Sequence, residues 1–179
     1  ALVKEVPGKI TAITLDVADC DAAVEAIRKL DADCGGLDLI VANAGASPHH
    51  DDPPDAWETL KAPCHTNFCG AVATITAALP AMIARKRGHV AGVSSLASFG
   101  ALPKAASYSA PKAGLSMFLD CLHQDLRGTG VAVTTIRPGF VATPHVASSP
   151  HPTPQMMTEE RAAALIARRL PRRPRRIDF

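Results

Sequence analysis

Four short apolar runs recur along the chain: KITAITLDV (9–17), LDLIVANA (37–44), HVAGVSS (89–95) and VAVTTIRP (131–138). Each is rich in β-branched residues and bounded by glycine, asparagine, serine or proline, the pattern of a buried strand. Longer helical stretches separate them. One covers Asp21–Leu30, with Asp19 or Asp21 placed to cap it. A second runs from about Ala56 to Arg87, with breaks expected near Pro63 and Pro80. A third carries Tyr108 and ends near Arg127, where Gly128 stops it. Strands alternating with helices cannot be joined as hairpins, so the connections are crossovers and the sheet is parallel. The fold class is α/β, with helices on both faces of the sheet in three layers.

In open parallel sheets, ligands bind beyond the carboxyl ends of the strands. Asn43, Ser95 and Pro138 each follow such an end. Tyr108 and Lys112 stand four residues apart in SYSAPKAGL, so a phenol and an ammonium share one helix face. A free tyrosine titrates near pH 10, too high for a base at neutral pH. A nearby ammonium would favour the phenolate and lower that value. Ser95, thirteen residues upstream of Tyr108, could then hold a substrate oxygen while Tyr108 moves a proton. Ser94 competes for that role, and the interval favours Ser95.

Hydrophobic residues make up 47% of the 179 positions and charged ones 20%, which describes a folded globular chain of one domain. A net charge of only +2 gives no global field for nucleic acid. Six arginines crowd ARRLPRRPRRIDF, which reads as a solvated helix end, and no aromatics interleave them as a single-strand binder would need. Five cysteines without C-x-x-C spacing, and no signal peptide, point to a reduced cytoplasmic compartment. No apolar run reaches the length of a membrane span, so none is expected. His49, His50, Asp51 and Asp52 lie in a polar loop, and no metal site is expected. Leu96, Phe99, Leu102, Phe140 and Val146 flank the presumed site and suggest an apolar substrate.

Read in order, LDVAD (15–19), ANAG (42–45), TNFCG (66–70), VSSLASFG (93–100), YSAPK (108–112) and RPGFVATP (137–144) resemble the short-chain dehydrogenase/reductase family. The resemblance implies a Rossmann-type doubly wound sheet and an NAD(P)-dependent oxidoreductase acting on an alcohol or carbonyl. Asn67, Ser95, Tyr108 and Lys112 match the family's catalytic tetrad, in which the asparagine bends its helix and holds a water on the proton path. Asp16 and Val17 match the pair at the adenine. Asn43, Ala44 and Gly45 match the turn beside the cofactor, whose ribose Lys112 would hold. Pro138 and Gly139, with Val141 and Thr143, match the segment at the nicotinamide end. The cofactor is NAD or NADP, and homodimers or homotetramers through the long helices are implied.

Two departures stand out. The family's opening Thr-Gly-x-x-x-Gly-x-Gly turn has no counterpart, and KITAITLDV falls where a third strand belongs. The first two strands and the last are therefore expected to lie outside the chain, making it a partial domain of a longer enzyme. The alternative is a catalytically inactive piece serving only binding or oligomerisation. The second departure is Pro111, expected in the first helical turn, where proline is tolerated.

Overall fold

The computed structural model describes residues 10–47, 56–143, 146 and 153–179. Four parallel strands form one sheet in the order β1 (Ile40–Ala42), β2 (Gly88–Val93), β3 (Val131–Arg137), β4 (Arg176–Asp178). Val41 pairs with Ala91, Val90 with Val133 and Ile136 with Ile177. The helices are α1 (Cys20–Asp33), α2 (Trp57–Cys64), α3 (Ala71–Ala84), α4 (Ala106–Asp125) and α5 (Glu159–Arg169). Asp19 is the residue that caps α1, its side chain accepting from Ala22 N.

Alternation along the strands sends their side chains to two cores. On one face Ile40, Val90, Val131 and Val133 pack with Ile75, Met82, Leu115 and Leu119 of α3 and α4. Ala91, Ile136 and Ile177 point the other way and meet Leu170, with Leu165 and Ile166 of α5 beside them. The expected three-layer α/β arrangement is therefore present. Its strands all run toward one edge, where their carboxyl ends and the following turns gather.

Several expectations need correction. Residues 10–16 form no strand, although their composition favours one. A strand requires neighbours for its N–H and C=O groups, and none of the described residues supplies them; Ile10 and Ile13 remain exposed. At the other end, Arg176–Asp178 forms β4 where no strand was expected. It consists of three residues beside a run of arginines, too short for its exposed-buried-exposed alternation to mark a strand; pairing with β3 and burial of Ile177 create it. Pro80 lies inside α3 without ending it, whereas α2 ends at Cys64, one residue after Pro63, where the helical run changes pitch. Pro111 is the sixth residue of α4, beyond its first turn. The helical run Trp57–Ala84 is also long and apolar enough to cross a bilayer by length and composition, contrary to expectation. Half of its most apolar window is buried within this fold.

The change of pitch in that run falls at His65–Gly70, which is π-helical. There Gly70 lies so close to the chain at Val17 that an added Cβ would stand 2.3 Å from the Val17 carbonyl oxygen. That contact is with backbone and cannot swing away. Gly70→Ala is expected to displace Val17 and to lower the melting temperature by several degrees, read by thermal unfolding.

Candidate functional site

The carboxyl ends of three adjacent strands deliver the site. After β1 the chain turns through Asn43, Ala44 and Gly45, all exposed. After β2 come Ser94 and Ser95, and after β3 Pro138 and Gly139. The first half of α4 lies across these ends and carries Tyr108 and Lys112.

Ser94 and Ser95 have different work. Ser94 is buried, donates to the Lys112 carbonyl at 2.8 Å and accepts from Ser116 Oγ at 2.8 Å. It ties β2 to α4 and is fully committed there. Ser95 caps a 3₁₀ turn, Leu96–Ser98, accepting from Ala97 N at 3.1 Å. Its hydroxyl also donates to the Pro138 carbonyl at 3.5 Å, and it lies near enough to Tyr108 to favour the phenolate.

Lys112 is 3% exposed and donates from Nζ to the Val93 carbonyl at 2.7 Å. Nζ stands 5.9 Å from the centre of the Tyr108 ring. Burial penalises the ammonium and brings its pKa down to about 8. Burial also raises the phenol of Tyr108, and the Ser95 hydrogen bond opposes that rise. The expected lowering of the phenol by the lysine is therefore not what this geometry gives. At this separation burial outweighs the ammonium, a balance that residue spacing alone cannot reveal.

The lysine's burial has a consequence for stability. Its ordinary value is 10.5. Between about pH 8 and 10.5 the unfolded chain holds this proton and the folded one releases it. The Lys112 contribution to stability therefore rises with pH across that window and is least favourable below it. Lys112→Met is expected to raise the melting temperature at pH 7 and to remove this part of the slope, measured by melting at a series of pH values.

Asn67 sits in the π-helical segment and is fully buried. Its Nδ2 donates to the Ala46 carbonyl and its Oδ1 accepts from Ala46 N, both at 2.7 Å. The side chain thus anchors the turn after β1. An added Cβ at Gly45 would lie 3.4 Å from Asn67 Oδ1 and 3.6 Å from Lys112 Nζ. Bare backbone accordingly faces the lysine, as a cofactor sugar approaching Lys112 would require.

Asp16 accepts from Ala18 N at 2.9 Å and shapes the turn before α1, while Val17 rests on Gly70. Thr143 N donates to the Val141 carbonyl at 2.7 Å, and Val141 is bridged to Met157. The positions that follow β1, β2 and β3 thus fall along one edge of the sheet, while Val17 is placed by its contact with Gly70. Leu96, Phe99, Leu102 and Phe140 are partly or largely exposed on the surrounding segments. The cluster His49–Asp52 and most of the loop after Thr143 lie outside the described residues.

Residues 1–153 match the family model for short chain dehydrogenase. The chain belongs to this family. It is 47% identical over 167 residues to an uncharacterized oxidoreductase of Myxococcus xanthus, covering 93% of this chain and 66% of that protein. It is 35% identical over 134 residues to dehydrogenase/reductase SDR family member 7B of Bos taurus, covering 73% of this chain and 40% of the relative. The chain therefore spans less than two thirds of either relative. A short-chain dehydrogenase from Streptomyces avermitilis superposes with a TM-score of 0.83 at 24% identity, over 99% of this chain and 73% of that one, which establishes the shared fold.

Within the short chain dehydrogenase frame, several contributors escaped sequence reasoning. Ala46 takes part through backbone groups, which leave no mark in composition. Ser116 backs Ser94 from α4, four residues after Lys112 on the same helix face, a spacing that could have signalled it. Arg137, Asp178 and Phe179 meet behind Pro138 and Gly139. No local pattern in the arginine-rich end announces that meeting.

Proposed function

We propose that the chain is the catalytic part of an NAD(P)-dependent oxidoreductase acting on a secondary alcohol or its carbonyl. The observation that carries this is the gathering of Ser95, Tyr108 and Lys112 beyond adjacent strand ends, with open backbone at Gly45 beside the lysine. A bound nicotinamide cofactor, NAD or NADP, would supply or take up the hydride. Asp16 and Val17 would hold its adenine end, Asn43, Ala44 and Gly45 its middle, and Lys112 a ribose. Pro138, Gly139, Val141 and Thr143 would border the nicotinamide end.

Ser95 donates a hydrogen bond to the substrate oxygen and fixes its place. Tyr108 gives its proton to that oxygen in reduction and recovers it in oxidation. Lys112 stabilises the phenolate that results, the stage at which its charge acts most strongly in a buried site. Asn67 works at one remove, holding the turn through Ala46. Leu96, Phe99 and Phe140 favour an apolar substrate, and exposed Trp57 and Met117 favour self-association through α2 and α4.

Titration of the protein with NADH and NADPH, followed by cofactor fluorescence, tests the reading. Saturable binding of either is expected, weakening as pH rises through about 8 while Lys112 loses its proton. Absence of binding to both would overturn the assignment for this chain.

A further inference from the structure

Arg137 is 3% exposed, and the chemistry above does not use it. Its Nε and one terminal nitrogen donate to the two carboxylate oxygens of Asp178 at 2.8 and 2.9 Å. The guanidinium carbon lies 4.4 Å from the centre of the Phe99 ring. These partners belong to β4 and to the turn that follows Ser95, the two segments on either side of Pro138. Backbone bonds tie the same segments together. The Pro138 carbonyl accepts from Leu96 N at 2.9 Å and from Ser95 Oγ at 3.5 Å. Gly139 N donates to the Phe179 carbonyl at 2.6 Å.

A buried cation at a strand end is costly unless its charge and its donors are matched. An apolar residue would close the core there at lower cost. The planar fork of arginine does something an apolar residue cannot: it takes a carboxylate edge-on and an aromatic ring face-on together. Ser95 and Phe99 flank one short 3₁₀ turn as its two caps. Holding Phe99 therefore holds the other end of that turn, from which the Ser95 hydroxyl projects.

We propose that Arg137 is a positioning residue: clasped by Asp178 and stacked against Phe99, it fixes the turn that sets where the Ser95 hydroxyl stands relative to Tyr108. The chemical meaning of that placement rests on the proposed function, but its readout needs neither substrate nor cofactor. Tyr108 is the sole tyrosine of the chain, so tyrosinate absorbance, or NMR of a ring-labelled sample, titrates this group alone. The groups beside it are the Ser95 hydroxyl and Lys112, whose Nζ stands 5.9 Å from the ring centre and has already lost its proton where Tyr108 titrates.

Ser95→Ala should raise the Tyr108 midpoint by about 0.5 to 1 unit, the worth of one hydrogen bond to the ionised form. Arg137→Met should raise it by most of that shift and add nothing further in the Ser95→Ala background. Arg137→Lys, which keeps the charge and loses the fork, should fall between Arg137→Met and the parent. A general loosening of the structure would instead give shifts that add. Additive shifts, or an Arg137→Met midpoint equal to the parent's, would overturn the inference. Should Arg137→Met not fold, Phe99→Leu keeps the Arg137–Asp178 fork, removes the stacked ring and must raise the midpoint; an unmoved midpoint counts against the inference equally. If Ser95→Ala itself leaves Tyr108 unmoved, the Ser95–Tyr108 pair fails, and the proposed function with it. If Ser95→Ala shifts the midpoint and Arg137→Met does not, only the role of Arg137 falls.

Discussion

Tyr108→Phe should lower turnover by about 10³-fold, the usual scale for removing a positioned acid/base group, while the melting temperature stays close to that of the parent. The ring of Tyr108 keeps its packing in that variant, and only the phenol oxygen goes. The comparison is steady-state turnover of a carbonyl substrate with the preferred cofactor, alongside thermal melting and cofactor titration. Retained cofactor affinity with lost turnover assigns the oxygen to proton transfer. Retention of most of the turnover would remove Tyr108 from the mechanism. Loss of both turnover and cofactor affinity would instead indicate that the hydroxyl organises the site.

The second large effect is on stability, at the opposite end of the sheet. Asp31 of α1 is 9% exposed and accepts both terminal nitrogens of Arg85 at 3.0 Å. The same carboxylate accepts from Leu37 N at 2.7 Å, and Arg85 donates to the Leu37 carbonyl at 2.6 Å. One ion pair thus joins the end of α1, the end of α3 and the entry to β1. Asp31→Ala leaves a guanidinium with side-chain exposure of only 22% and no counter-charge. Removing one partner of such a pair costs about 3 kcal/mol or somewhat more, to be read as a lower urea midpoint at unchanged slope. The Arg85 side chain holds the Asp31 carboxyl below its ordinary 3.8. Its contribution is therefore present above that value and is lost as pH falls through the depressed one. In Asp31→Ala the acid limb of the stability profile should flatten accordingly.

Much of the layout of the candidate site was legible because it depends on spacing. Tyr108 and Lys112 are one helical turn apart, and the strand-end positions of Asn43, Ser95 and Pro138 follow from alternating apolar runs. The interval to Tyr108 also favoured Ser95, and the two serines do have different partners. What escaped depends on tertiary surroundings. KITAITLDV has the composition of a strand but not the neighbours that would make it one, whereas RID lacks the composition and has the neighbour. The π-helical turn at His65–Gly70 arises where Gly70 meets Val17 and Asn67 meets Ala46, contacts between segments about 20 residues or more apart in sequence. Burial of Tyr108, which raises its phenol against the expected direction, is likewise a property of the assembled layers.

That single turn of π-helix also limits what could be rebuilt in this scaffold. Its one end braces Val17 beside Asp16, and its middle grips Ala46, which follows the turn of Asn43 to Gly45. The two regions proposed to hold the adenine end and the middle of one ligand therefore share a mechanical support. An engineer wishing to retune the first for a different nucleotide could not graft it as an independent cassette. The graft would have to carry residues 65–70 with it, or reproduce the glycine contact and the asparagine grip by other means.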